Sequence, residues 1–180
     1  AVLHDKKAEG KTAEQFYQSA LKKDPKNAEV HCDLGYSYYL QGRWKEAENS
    51  LQRAVELQPD LRRACNNLGI ISNLRGRQAE ALGSYEMAIA AMERAGLRRG
   101  IAQCRHNLSI TYREQALLDR ALEQAELAAA EAKAIGDAAL EAQAVRGCAE
   151  ARVARGELER ARIDIEVALE AQQRLGDPIE

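Results

Sequence analysis

The side chains best equipped for chemistry are few and scattered. Histidine occurs three times, as His4, His31 and His106, and cysteine four times, as Cys32, Cys65, Cys104 and Cys148. No histidine stands in a pattern with a Ser or Cys nucleophile. The chain has no Gly-x-Ser-x-Gly, no phosphate-binding P-loop and no His-Glu-x-x-His. The cysteines form no Cys-x-x-Cys pair, and no histidine lies beside them at a zinc-ligand spacing. Acidic residues recur at helix-surface spacing near basic ones, as at Glu46 and Glu48 with Arg53 or Glu157 with Arg160, which describes solvated faces rather than acid–base pairs. What remains is recognition. The amides of Asn and Gln both donate and accept, which suits an extended peptide backbone, and Arg can take a carboxylate on two parallel N–H groups. The sequence reads as a binding protein and not an enzyme, with no cofactor and no metal expected.

The elements that must carry these groups are helices. The chain is rich in Ala, Leu, Glu, Gln and Arg, all good helix formers, and only 4% of it is aromatic. Both signs of charge are mixed along it and the net charge is −2, so no basic stripe offers a nucleic acid a place. No apolar run is long enough to cross a membrane. The sequence starts at Ala1 without Met, inside a damaged first repeat, which reads as a fragment of a longer protein. Unpaired cysteines and the lack of a visible targeting signal lead to a cytoplasmic expectation. The cysteines themselves read as small buried residues, with a disulfide staple as the alternative.

The most complete stretch runs from Ala28 to Pro59. His31, Leu34 and Tyr38 share one stripe of a helix, with Gly35 on the same side so that a second helix can come close. Gly42 interrupts the helix and Arg43-Trp44 restart it. Ala47, Leu51, Ala54 and Val55 form the facing stripe, and Pro59 stops the second helix near Leu57. Copies recur 34 residues before and after (Ala13, Tyr17, Ala20; Cys65, Leu68, Gly69, Ala81, Tyr85, Ala88), then at two steps of 40 (Arg105, Leu108, Ser109, Tyr112, Ala121, Ala125; Val145, Cys148, Ala149, Arg152, Ala161, Ile165).

This pattern resembles the tetratricopeptide repeat, and the longer steps ending in Ile-Gly-Asp and Leu-Gly-Asp resemble repeats of kinesin light chains and Leu-Gly-Asn-type adaptors. The resemblance implies an all-α, right-handed superhelical solenoid of antiparallel helix pairs. It implies about five repeats with the first incomplete, at approximately 1–26, 27–60, 61–96, 97–136 and 137–176, in one domain of residues 1–180. Residues 1–9 read as the tail of a truncated helix, with the next helix starting near Thr12. A change of superhelical pitch is expected near Ala90–Gly100. Ser72 and Arg152 depart from the family's Tyr position.

The resemblance also implies that the first helices of the repeats line a concave groove that holds an extended peptide or a helix of a protein partner. The family's groove-facing places fall here on Tyr36, Tyr39, Arg63, Asn66, Asn67, Asn73, Gln103, His106, Asn107, Arg113, Gln143 and Arg146. Arg63, Arg113 and Arg146 among them point to a partner of some acidic character. The other reading of Asn67 and Asn107 is that they bridge neighbouring helices, and Tyr36 and Tyr39 could equally pack against the missing first helix. The chaperone carboxylate clamp known in the family is excluded: Cys32, Tyr36, Asn67, Gln103 and Asn107 occupy its places, and only Asn67 fits. Two further readings stand beside the groove. One is a scaffold that self-assembles through its uncapped ends or convex face, suggested by Ile163, Ile165, Val167 and Leu169 in the last helix. The other is a regulatory array within a larger multidomain protein.

Overall fold

The structure is a computed structural model that describes the backbone of residues 2–176 and the side chains of residues 12–169. Among the described residues there are nine helices and no strand: α1 Val2–Lys23, α2 Ala28–Leu40, α3 Trp44–Leu57, α4 Arg62–Leu74, α5 Gln78–Arg94, α6 Arg98–Glu114, α7 Leu118–Ala134, α8 Ala138–Ala154 and α9 Leu158–Gly176. No described helix is long and apolar enough to cross a membrane. The chain divides into two compact units, Ala1–Ala88 and Ile89–Glu180.

The helix boundaries follow the sequence punctuation. α3 ends at Leu57, two residues before Pro59. Six turns between paired or successive helices share one closure. After α2, the Gly42 N–H bonds the Tyr39 carbonyl at 3.0 Å and the Arg43 N–H reaches back to Tyr38 at 3.0 Å, the two bonds of a Schellman cap. That cap needs a left-handed residue. Glycine supplies it at Gly42, Gly76, Gly96, Gly136 and Gly156, and Ala116 takes it with φ 58°. The predicted break near Thr12 is not there: α1 runs unbroken from Val2 to Lys23, with Gly10 inside the helix. The end of the fifth repeat at Asp177-Pro178 lies outside the described residues.

The extra residues of the 40-residue steps are shared between both helices of a pair. First helices grow from 13 residues in α2 and α4 to 17 in α6 and α8. Second helices grow from 14 in α3 to 17 in α5 and α7.

In the α2–α3 and α4–α5 pairs, a glycine on the first helix faces one large residue of the second. A Cβ on Gly35 would stand 2.6 Å from Leu51 Cγ, and one on Gly69 only 2.5 Å from the Tyr85 ring. The sequence-equivalent positions further on are Ser109 with Ala125 and Ala149 with Ile165. In the first unit, Ala28, Cys32, Leu34 and Tyr38 of α2, Ala47, Leu51 and Ala54 of α3, Leu61 just before α4, and Ala64 and Ile71 of α4 form one buried cluster, with Tyr17 and Leu21 of α1 against it. Glu14 of α1 ties this together: it accepts the Tyr38 hydroxyl at 2.8 Å and the Arg43 guanidinium at 2.7 Å. Those bonds hold its carboxyl below the usual range. In the second unit Ala102, Ala132 and Leu140 join α6, α7 and α8.

All four cysteines are buried and unpaired, each in a first helix. Burial pushes the Cys32 thiol up to about 11 and the Cys148 thiol up to about 12. They behave as small apolar side chains. Cys32, which the family pattern places in the groove, is fully inside the core.

One cap carries a pH prediction. The Asp137 carboxylate accepts from the Leu140 N–H at 3.0 Å at the start of α8 and pairs with Arg99 at 2.6 Å. Arg99 first, and the Leu140 amide second, hold its carboxyl below the ordinary aspartate value. Its folded value lies under its unfolded one, so the stabilisation is present in full above about pH 4 and is lost as pH falls through the folded value. Asp137→Ala is expected to cost about 1 kcal/mol at neutral pH. Urea unfolding followed by circular dichroism checks this, and the gap to the wild type should close in strong acid.

Candidate functional site

The twelve predicted recognition residues fall on four first helices, two in each unit. In the first unit they lie on α2 and α4. Tyr36 and Tyr39 stack at 5.8 Å, and Tyr39 meets Trp44 edge-on at 5.7 Å. Tyr36 and Trp44 are partly exposed, and Leu40 and Leu74 largely so. Tyr38 makes the hydrogen bond back to α1, and Tyr39 packs on the same buried cluster as Tyr17 and Leu21 of α1. Tyr39, Asn67 and Ile70 line a narrow cleft between α2 and α4, which brings together an aromatic ring, an amide and an aliphatic side chain. Asn66 and Asn73 are half-buried on the same helix. Trp44 is the residue that the repeat pattern missed. Its signal is the short Gly42 turn, which returns the chain beside Tyr39.

Arg63 does not await a partner. It pairs with Glu29 at 3.1 Å and with Asp33, both on α2. The same is true in the second unit. Arg113 of α6 pairs with Glu150 of α8, and Arg146 lies 3.9 Å from the same carboxylate. The three arginines expected to take a partner's carboxylates thus already hold carboxylates of the chain. The sequence stripes showed the cations but not the ion pairs, because each main pair spans 30 to 37 residues, from one repeat to the next.

His106 is half-buried between the two second-unit arginines. Burial, then Arg146 and Arg113, push its imidazole below the usual histidine value, so it stays neutral and adds no third cation. Its Nδ1 is buried without a hydrogen-bond partner, and a Cβ on Gly147 would stand 3.6 Å from it. Gln103 and Asn107 are half-buried and Gln143 and Arg146 exposed on the shared α6–α8 face. Beside them a cleft of about 350 Å³ is lined by Arg113, Arg146, Ala149, Glu150, Val153, Ala154 and Ile165.

Other expected ion pairs are redistributed. Glu46 pairs with Arg43, Arg53 with Glu56, and Glu48 with Arg75 and Arg77 of the next repeat. Glu157 does pair with Arg160, at 3.3 Å. Arg152, standing where the pattern has Tyr, is held by Asp164 and by Glu126 at 2.5 Å. Two carboxylates from the flanking second helices thus stand in for aromatic packing. Among the described residues no cluster of His, Cys, Asp or Glu could hold a metal ion.

Sequence profiles of the tetratricopeptide repeat match residues 9–68 and, separately, 101–135, spanning the α2–α3 pair and most of the α6–α7 pair. The chain is a tetratricopeptide-repeat protein. Its fold is an all-α solenoid of helix pairs, and solved structures of this architecture resemble it over nearly its whole length. BtubC (BKLC) from P. vanneervenii superposes with a TM-score of 0.87 at 20% identity, covering 98% of this chain and 78% of that one. MamA superposes with a TM-score of 0.77 at 24% identity, covering 94% and 92%. YrrB, described as a tetratricopeptide-repeat protein with an unusual peptide-binding site, gives 0.70 at 19% identity, covering 92% and 79%. No curated protein sequence matches the chain.

Proposed function

We propose that the chain is a protein-interaction module whose first-helix faces hold an extended peptide, with binding alone and no catalytic step. The observation that carries this reading is the α2–α4 face, where Tyr39, Asn67 and Ile70 converge on one cleft beside the exposed Tyr36 and Trp44. Aromatic rings give contact area at low entropic cost, and an adjacent amide can bond a peptide backbone on both sides. The peptide-binding site named for YrrB supports the reading. A rigid face preorganised by the buried cluster beneath it loses little freedom on docking.

The paired arginines change what the partner should look like. An acidic side chain gains from Arg63, Arg113 or Arg146 only by displacing Glu29, Asp33 or Glu150, an exchange of one ion pair for another that gives little net affinity. The favoured ligand is therefore an extended segment with apolar and amide contacts, in which acidic residues set orientation rather than strength.

Panning a library of unstructured peptides on the immobilised chain tests this. Selected peptides are expected to lose affinity about tenfold when Asn67→Ala or Tyr39→Ala is introduced. Selection of nothing, or of peptides indifferent to every substitution on the α2–α4 and α6–α8 faces, overturns it.

A further inference from the structure

Only 4% of the chain is aromatic, yet three of its rings gather on one surface of the first unit. Tyr36 stacks on Tyr39 at 5.8 Å with 24° between the ring planes, and Trp44 meets Tyr39 edge-on at 5.7 Å. Tyr36 is 44% and Trp44 41% exposed, whereas Tyr38, Tyr85 and Tyr112 are buried in the packing. The later repeats have no ring at the places of Tyr36 and Tyr39; they carry Ile70 and Asn73, Ile110 and Arg113, and Glu150 and Val153 there. Tyr39 joins this ridge of rings to the cleft it forms with Asn67 and Ile70. The cleft lies between α2 and α4, which have α1 before them and α5 after them in the chain. Leu40 and Leu74, the last residues of α2 and α4, add exposed aliphatic surface.

The polar groups of this surface favour one kind of ligand backbone. The Trp44 indole N–H donates and cannot accept, and the Asn67 amide offers two more N–H groups. The α2 carboxylates Glu29 and Asp33 are both held by Arg63 of α4, so these three charges close on one another and select neither an acidic nor a basic ligand. A segment laid here is rewarded for its carbonyls. Its own N–H groups find few acceptors, because the walls are helices whose backbone carbonyls are bonded internally, and an N–H pressed against rings loses its water without replacement. An α-helical ligand gains nothing from the donors, since its carbonyls are also bonded internally.

We propose, resting on the reading of this face as a peptide site, that its ligand is a proline-rich segment of a partner protein in the polyproline II conformation. Proline has no N–H to strand. Polyproline II makes no internal hydrogen bonds, so its carbonyls are free for Trp44 and Asn67. Its rings dock on aromatic-lined surfaces. The helix advances ~9 Å per turn of three residues, so rings spaced 5.8 and 5.7 Å apart are spanned by little more than one turn. Prolines at every third place line the edge that lies on the rings, and the N–H groups between them face water. The segment is ordered before it docks, so a small surface suffices.

The probes are two displayed libraries of short peptides panned on the immobilised chain, one with proline fixed at every third place and one without proline. Selected peptides are labelled with fluorescein and titrated by anisotropy. The proline library is expected to yield binders that saturate below ~1 mM, the weak end of specific association. Tyr36→Ala and Trp44→Ala should each weaken them about tenfold. Trp44→Phe, which keeps a ring and removes the donor, should weaken them about fivefold, while Leu127→Ala on α7 leaves them unchanged. Circular dichroism confirms that each variant keeps its helices. Proline-free peptides that bind as tightly and lose affinity with Asn67→Ala overturn the proposal and leave the peptide site standing. Binders from neither library overturn both. Proline-library binders indifferent to Tyr36→Ala and Trp44→Ala also overturn the proposal.

Discussion

Leu51→Ala lowers the stability of the first unit by about 2–5 kcal/mol, the largest single loss expected in the molecule. The side chain is fully buried at the centre of the α2–α3–α4 cluster. It fills the space that Gly35 leaves open, so its removal creates a void bounded by α2 backbone and Ala47 that cannot collapse without moving a helix. A typical domain has only about 5–15 kcal/mol in total. The single tryptophan of the chain, Trp44, sits in this unit against Tyr39. Its fluorescence in a urea titration therefore reads this unit, and the midpoint should fall with little change in slope. Ile163→Ala, on the exposed side of α9, is the control and should stay within about 0.5 kcal/mol. A Leu51→Ala midpoint equal to the wild type would remove the interhelical gap from the account of the fold.

Gly69→Val is expected to cost about 1–3 kcal/mol through the opposite error. A Cβ there would lie 2.5 to 2.8 Å from three atoms of the Tyr85 ring. The ring is 2% exposed, so it has no solvent side to swing towards. Helix propensity alone argues the other way, since Gly is a poor helix residue. Gly83, also in a helix but with nothing within 4 Å of a built Cβ, separates the two effects. Gly83→Ala should gain about 0.5–1 kcal/mol. If Gly69→Val also stabilised the chain, α4 and α5 could not be as close as the Tyr85 contact requires.

Much of this was legible before any coordinates, because the repeat encodes packing in residue size. Gly35, Leu51 and the Ala47–Ala54 stripe announce a close helix pair, and Pro59 and the turn glycines announce its ends. The split of six extra residues between two helices was readable from where the small residues resume. The unbroken α1 was not, since a weak Ala13-Tyr17-Ala20 signature fits a helix start and a helix interior equally. At the site, helical spacing placed Tyr39, Asn67 and Asn107 on the first helices, but it carried no information on electrostatics. Arg63 finds Glu29 a full repeat earlier, and Arg113 finds Glu150 37 residues later, so a row of apparent cations proved to be a row of closed pairs. The exposure of Ile165 was legible, since it stands with Ile163, Val167 and Leu169 in the apolar set expected to lie open on the last helix.

The four buried thiols have a practical use. Cys32, Cys65, Cys104 and Cys148 stand on four successive first helices, and the raised Cys32, Cys65 and Cys148 values leave little thiolate at neutral pH. An alkylating reagent reaches each sulfur only during a transient local opening. Peptide mapping of the four labelling rates would thus time the breathing of the chain repeat by repeat, with each sulfur acting as a stopwatch for its own neighbourhood, and without introducing a single foreign residue.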